Sequence, residues 1–220
     1  LQNIDGALIH SPSGIEITLG TKGKVRTHVV CRKRFDQGVV AQAMEAGAHL
    51  WLNSKPLGAV NSSDKVQLSV EKGSEKIDLS CDLLIGADGA HSWTRRHFKM
   101  GKPKELMIGY QTDVIGLSDR GDWLEMYTGN EVAPGFFAWV IPSGFGTHRI
   151  GIWSTAEHLQ GRSVEQCYHN LLNHPLWAER FSTVKETARY CGPIPCGMVK
   201  NPVKNRVMLI GDAAEIGRAS

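Results

Sequence analysis

No stretch of the 220-residue chain holds the long uninterrupted apolar run that a membrane-crossing helix needs. Its N-terminus has neither the order of a secretory signal nor the character of a transit peptide. Excess charge is scarce too: 25 Lys and Arg against 22 Asp and Glu leave a net +3, too little to argue for nucleic acid. The densest basic cluster, Arg32-Lys33-Arg34, is three residues long and reads as a solvated helix entry. Five scattered cysteines, an odd number, argue against a disulfide framework and for a reducing compartment, hence the cytoplasm. Cys191 and Cys196 do not form CxxC, and no second cysteine pair or histidine cluster completes a zinc site, so no metal is expected. GxSxG, HExxH, a P-loop and GxGxxG are all missing. The nearest lookalike, "GFGTHRIG", has Arg149 at the third glycine and lies between two strand-like runs, which makes it a hairpin turn.

The remaining pattern is that of an ordinary globular protein, with 41% hydrophobic and 21% charged residues. Residues 1–30 read as short strands with turns at Ser13-Gly14 and Lys22-Gly23. A helix follows, with Asp36 as N-cap, Val39, Val40, Ala43 and Met44 as its apolar face, and Gly47 as its stop. His49 to Leu52 reads as a strand, residues 57–80 as a β-meander, and Leu83-Leu84-Ile85 as a buried strand. From Met107 to Ser154 the pattern is antiparallel sheet. Ser163 and Gln166 form a capping box for a helix through Leu172, and "CGPIPCG" reads as an irregular crossover.

Two apolar strands end alike. "DLLIGADGAHSWTRR" runs into Gly86, Asp88 and Gly89, and "RVMLIGDAAEI" runs into Gly211, Asp212 and Ala213. In an open α/β sheet, ligands bind at the carboxyl ends of strands. Glycine there lets the backbone approach a ligand, the following turn offers N–H groups to an anion, and a carboxylate accepts hydrogen bonds from sugar or polyol hydroxyls. One such end is as easily a helix cap; two in this order point to a cofactor seat. Arg95 reads either as a partner for a pyrophosphate or Asp88, or as a surface cation on a first helical turn.

"GADGAHSWTRR" resembles the DG motif of flavoprotein monooxygenases of the p-hydroxybenzoate hydroxylase fold, and "VMLIGDAAE" resembles their GD motif. "VVCRKRFDQGVVAQAMEAGA" is similar to the segment whose arginine reaches FAD, with Arg32 at the matching place. "APGFFAWVIPSG" resembles the aromatic-x-Trp-x-aromatic-Pro signature of geranylgeranyl reductases, matched at Phe137, Trp139 and Pro142, with Ile141 in place of the second aromatic. The resemblance implies an α/β fold with α+β character: a partial Rossmann-like FAD-binding domain (residues 1–97 and 203–220) carrying an inserted antiparallel substrate sheet (98–202). Residues 1–28 are free to pack with that sheet. Without GxGxxG, and with the chain stopping just past the GD motif, the family pattern implies an internal piece; the continuation "EIGRAS" departs from that pattern.

FAD is then the implied cofactor, reduced by NAD(P)H or ferredoxin, and the implied activity is reduction of isolated double bonds in a hydrophobic prenyl chain. The implied cofactor contacts are Arg32, Gly86, Asp88, Gly89, Arg95, Gly211, Asp212 and Ala213. The implied substrate contacts are Phe137, Trp139 and Pro142, with Phe136, Tyr110 and Trp153 as further lining candidates, although aromatics on a sheet more often pack a core. The lipophilic substrate allows peripheral membrane contact. No catalytic acid or nucleophile stands out. A flavin-dependent aromatic hydroxylase of the same fold, and a non-catalytic module for a hydrophobic ligand, remain the alternatives.

Overall fold

The computed structural model describes residues 1–215. It opens with β1 (Gln2–Ile4), β2 (Gly6–His10), β3 (Glu16–Gly20), β4 (Thr27–Val29) and the helix α1 (Arg32–Glu45). Next come β5 (Ser54–Asn61), β6 (Val66–Lys72), β7 (Glu75–Cys81), β8 (Leu84–Gly86) and the one-turn helix α2 (Trp93–His97). Four long strands follow: β9 (Glu105–Ile115), β10 (Trp123–Thr128), β11 (Phe137–Gly144) and β12 (Thr147–Thr155). Three helices, α3 (Ala156–Leu159), α4 (Val164–Leu172) and α5 (Ala178–Phe181), precede β13 (Lys185–Cys196). The short strands β14 (Val203–Lys204) and β15 (Val207–Leu209) then lead into a 3-10 turn, Gly211–Ala213.

The chain forms two compact units, Leu1–Val39 with Met107–Pro193, and Val40–Leu106 with Ile194–Ser220. These boundaries differ from the 97/98 and 202/203 boundaries read from sequence. The first unit is built on a seven-stranded sheet in the order β13-β9-β12-β11-β10-β2-β3. β2 pairs parallel to β10 and antiparallel to β3, which draws the N-terminal strands into the sheet. Strand alternation sends Tyr110, Val114, Ala138, Val140, Ile150 and Ile152 to one face. There they form one core with Val164, Cys167, Tyr168 and Leu171 of α4. Those four positions fall on one stripe of a helix, and the Ser163–Gln166 capping box fixes where the helix begins.

The second unit holds the meander β5-β6-β7 and a small sheet in the order β14-β15-β8. Its core gathers Val66, Met100, Val199, Val207, Leu209, Ala213 and Ala214.

Four local expectations are corrected. The helix α1 starts at Arg32, so Asp36 lies inside it and pairs with Arg32 Nε at 2.7 Å instead of capping it. The start moves forward because the Cys31 carbonyl already accepts the Phe35 N–H at 3.0 Å. Residues 49–52 form no strand; they lead into Asn53, whose φ of +51° breaks extended backbone. "CGPIPCG" is regular rather than irregular: Cys191–Cys196 ends β13, and the boundary between the two units falls within it; β13 is an edge strand, where Pro193 and Pro195 need no ladder N–H. Finally, Leu83 and Ile85 are about half exposed, because strand alternation sends both to the face opposite the buried Gly86.

Candidate functional site

In the second unit β8 and β15 run side by side and parallel, with Leu84 opposite Val207 and Gly86 opposite Leu209. The Ile210 N–H extends the ladder to the Gly86 carbonyl at 2.9 Å. The two glycine–aspartate turns therefore leave the same carboxyl edge from neighbouring strands. Sequence separates them by more than a hundred residues; strand pairing brings them together.

Each residue of this edge has a definite job. Gly86 is buried, and a β-carbon there would come within 2.7 Å of the Thr94 side chain and 2.8 Å of Leu209. Its bareness serves the packing of α2 on the strands. Gly89 (φ +74°) and Gly211 (φ +58°) differ: a β-carbon at either would meet nothing within 4 Å, so the backbone there is open to a ligand. Asp88 Oδ2 accepts hydrogen bonds from the Thr94 amide at 2.9 Å and the Thr94 hydroxyl at 3.0 Å. Partial burial works against its charge, but hydrogen bonds from Ser92 and Thr94 outweigh it and hold the carboxyl below the usual range. Asp88 and Asp212 are both solvent-accessible, and Ala213 is buried in the core.

Arg95 is only 7% exposed, so it is not a surface cation. Its Nη1 donates to the Ala213 carbonyl at 2.9 Å and its Nη2 to the Ala90 carbonyl at 2.7 Å. One guanidinium thus staples the turn after β8 to the turn after β15. Ser92 caps the Arg95 amide at 2.9 Å and fixes the start of α2. Sequence reasoning missed Thr94; its signal was a hydroxyl residue six positions past an aspartate at a helix start.

The other expected site residues lie in the first unit. Arg32 is exposed at the head of α1 and paired with Asp36. Phe137 and Trp139 project from the sheet face opposite the helices, and Pro142 projects to the buried helix side, so the signature residues divide between two faces. Trp153 of β12 joins the first two, its ring 6.1 Å from Phe137 and 5.4 Å from Trp139, both edge-on. Gly151, directly across from Trp139, lets the indole lie against the strand; any β-carbon there would collide with the ring. Met126 and Ile141 extend this half-buried apolar face. Tyr110 belongs to the helix-side core instead, where its hydroxyl reaches Glu165 at 3.3 Å. Phe136 sits just before β11, edge-on to His158.

Two neighbouring parallel strand ends, two open glycines, two accessible aspartates and a buried arginine staple make up one open edge of an α/β unit. The donors and acceptors suit a ligand bearing both phosphates and hydroxyls. The chain belongs to the FAD-binding domain family, whose model matches residues 6–218. It is similar to the digeranylgeranylglycerophospholipid reductase of Thermoplasma acidophilum, at 27% identity over 97% of this chain and 55% of that protein. The enzyme of the same name from Methanocaldococcus jannaschii is 28% identical over 96% of this chain and 54% of that one. The chain spans about half the length of the curated relatives it matches. In fold it resembles the crystal structure of a geranylgeranyl bacteriochlorophyll reductase-like protein from Thermoplasma acidophilum. The TM-score is 0.84 at 24% identity, covering 98% of this chain and 56% of that one.

Proposed function

We propose that the chain is the flavin-seating and substrate-sheet portion of an oxidoreductase that saturates isolated double bonds in a prenyl lipid. The observation that carries this reading is the pairing of the Gly-Asp turns on adjacent parallel strands. It is supported by the similarity to digeranylgeranylglycerophospholipid reductases over nearly the whole chain. In this reading Asp212 accepts hydrogen bonds from the ribityl hydroxyls, and Asp88 lies by the phosphate and ribose end. Gly89 and Gly211 present bare backbone, while Arg95, bonded to the buried Ala213's carbonyl, holds the two turns in register from behind. By the family resemblance, Arg32 would be a further cofactor contact. FAD, when bound, would supply hydride transfer, with NAD(P)H or ferredoxin as the electron source. Phe137, Trp139 and Trp153 supply a dry apolar wall that orients the prenyl chain and excludes water. No described helix is long and apolar enough to cross a membrane; the lipid substrate would be met at a membrane surface.

The test is flavin titration of the purified chain, followed by anaerobic reduction with a prenyl phospholipid and mass analysis of the product. Gain of two hydrogens per double bond is the expected result. A chain that stays colourless with added FAD, or an oxygen-dependent hydroxylation in place of hydrogen gain, would sink the reading. Asp212→Ala should weaken FAD binding about tenfold, the loss of a hydrogen-bonding carboxylate.

A further inference from the structure

A cavity of about 690 Å³ in the first unit opens between the head of α1, the end of the β11–β12 hairpin and β9. Its walls are mixed in a specific way. Val29, Phe35 and Phe145 are apolar, whereas Arg34 and Arg149 bring two guanidinium groups into the same space, with Asp113 as the lone carboxylate. The Arg34 side chain makes no hydrogen bond or ion pair with another described residue. Arg149 reaches Asp113 only loosely, Nε to Oδ1 being 3.8 Å. Asp113 is further engaged by the Tyr190 hydroxyl at 3.4 Å. Positive charge therefore exceeds negative in the hollow.

The Cys31 thiol, also on the cavity wall, is pulled below its usual range, first by the Arg34 amide, with burial opposing, and then by the Lys33 amide and the charges of Arg34 and Arg149. Arg34 of α1 and Arg149 of β12 thus line the same hollow as the thiol. Phe145 adds an apolar rim: it is fully exposed at the hairpin tip, in left-handed backbone (φ +54°) that is uncommon for a large side chain. An anion with an apolar tail satisfies every part of such a wall; a wholly apolar ligand would leave both guanidinium groups desolvated.

We propose that this cavity seats the phosphate head of a lipid chain, with Arg34 and Arg149 as its two cations and the Cys31 thiol at its wall. The site deepens the proposed function, on which the prenyl nature of the tail rests. The phosphate ester is the shared chemistry of a free prenyl diphosphate and a phospholipid head group.

The 220-residue chain itself serves for the test. Alkylation of Cys31 by iodoacetamide, followed by peptide mass mapping, reads occupancy without requiring turnover. Geranylgeranyl diphosphate should slow Cys31 alkylation and bind about tenfold or more tighter than the uncharged alcohol geranylgeraniol. Arg34→Gln and Arg149→Gln should each weaken the diphosphate about tenfold, and Lys33→Gln, on the exposed neighbour, should change it less than about twofold. Protection by phosphatidylglycerol vesicles but not by the free diphosphate would assign the phosphate to a membrane lipid and still support the site. Equal binding of diphosphate and alcohol, or protection that persists in both arginine variants, overturns it. Flavin absorbance of the same samples reads the other reading separately. A colourless chain that binds the diphosphate keeps the anion site and loses the flavin assignment; a yellow chain indifferent to both phosphate ligands does the reverse.

Discussion

Gly86 and Gly151 carry their structural content in what they omit. At Gly86 the space a methyl would take is filled by Thr94 and Leu209, and at Gly151 by the Trp139 indole. Gly151→Ala should therefore tilt the indole off the strand, cost about 1–3 kcal/mol by overpacking, and change the near-ultraviolet circular dichroism of the Trp139–Trp153 pair. An unchanged spectrum and melting midpoint would mean the ring does not rest there. Arg95 makes the opposite argument, a long charged side chain spent wholly on structure. Its two hydrogen bonds tie the Ala90 and Ala213 carbonyls, so Arg95→Met leaves both acceptors without a charged donor. A loss of about 2–4 kcal/mol by chemical denaturation is expected, with Arg95→Lys recovering little because an ammonium cannot span both turns. Neither role is written in the sequence. Glycine and arginine near a motif look like ligand contacts until the tertiary neighbours are seen.

Among the elements, α5 is too short to be stable alone and is held by a buried polar contact. Glu125 of β10 is 1% exposed and accepts from Arg180 twice, Nη2 to Oε1 at 2.6 Å and Nε to Oε2 at 3.1 Å. The Tyr127 hydroxyl adds a third bond at 2.8 Å. Burial alone would raise the Glu125 carboxyl; Arg180, Tyr127 and Arg120 together outweigh it and hold it ionised below the usual range. Removing one partner strands a buried charge. Arg180→Ala should cost about 3–5 kcal/mol, whereas the double change Glu125→Met with Arg180→Met should cost much less. Urea unfolding of the single and double variants checks this; equal losses would show that the pair is not coupled. The contact was invisible in sequence, since Glu125 and Arg180 lie 55 positions apart. By contrast, α4 was legible to the residue, because its cap and its apolar stripe are both local signals. The apolar pattern of α1 was equally clear, yet α1 buries none of its residues among those described. Periodicity shows which face is apolar, not what covers it.

At the scale of the whole molecule, pH sums over such buried groups. His148 is 4% exposed, and His10 is stacked on Tyr127 with ring centroids 4.4 Å apart. Burial, with Arg180 adding to it, holds His148 below the ordinary imidazole range against the pull of Asp119 and Glu125. Burial likewise lowers His10, with Arg120 and Arg180 assisting and Glu16 and Glu125 opposing. Because these folded values are depressed, the unfolded chain takes up protons first as pH falls. Stability is then level above about pH 7 and declines below about 6.5, by at most about 1.4 kcal/mol per pH unit per site. Glu125, also depressed, adds its own loss only below about pH 4.3, where the unfolded carboxylate protonates before the folded one. Melting midpoints across pH 4–8 check this, and His148→Leu should flatten the upper part of the decline; a midpoint that rises on acidification from pH 6.5 to 5 would contradict it. Local chemistry was settled by residue order alone: where glycines turn the chain, which hydroxyl caps α4, which strands alternate, and that two strands end in Gly-Asp. Those features depend on neighbours within a few positions. Only the tertiary structure decided that β8 and β15 pair in parallel, that Arg95 turns inward to join their loops, that Pro142 parts from Trp139, and that Arg34 and Arg149 share a cavity. Those outcomes depend on strand register and on burial shared by residues far apart in the chain, which no local pattern encodes.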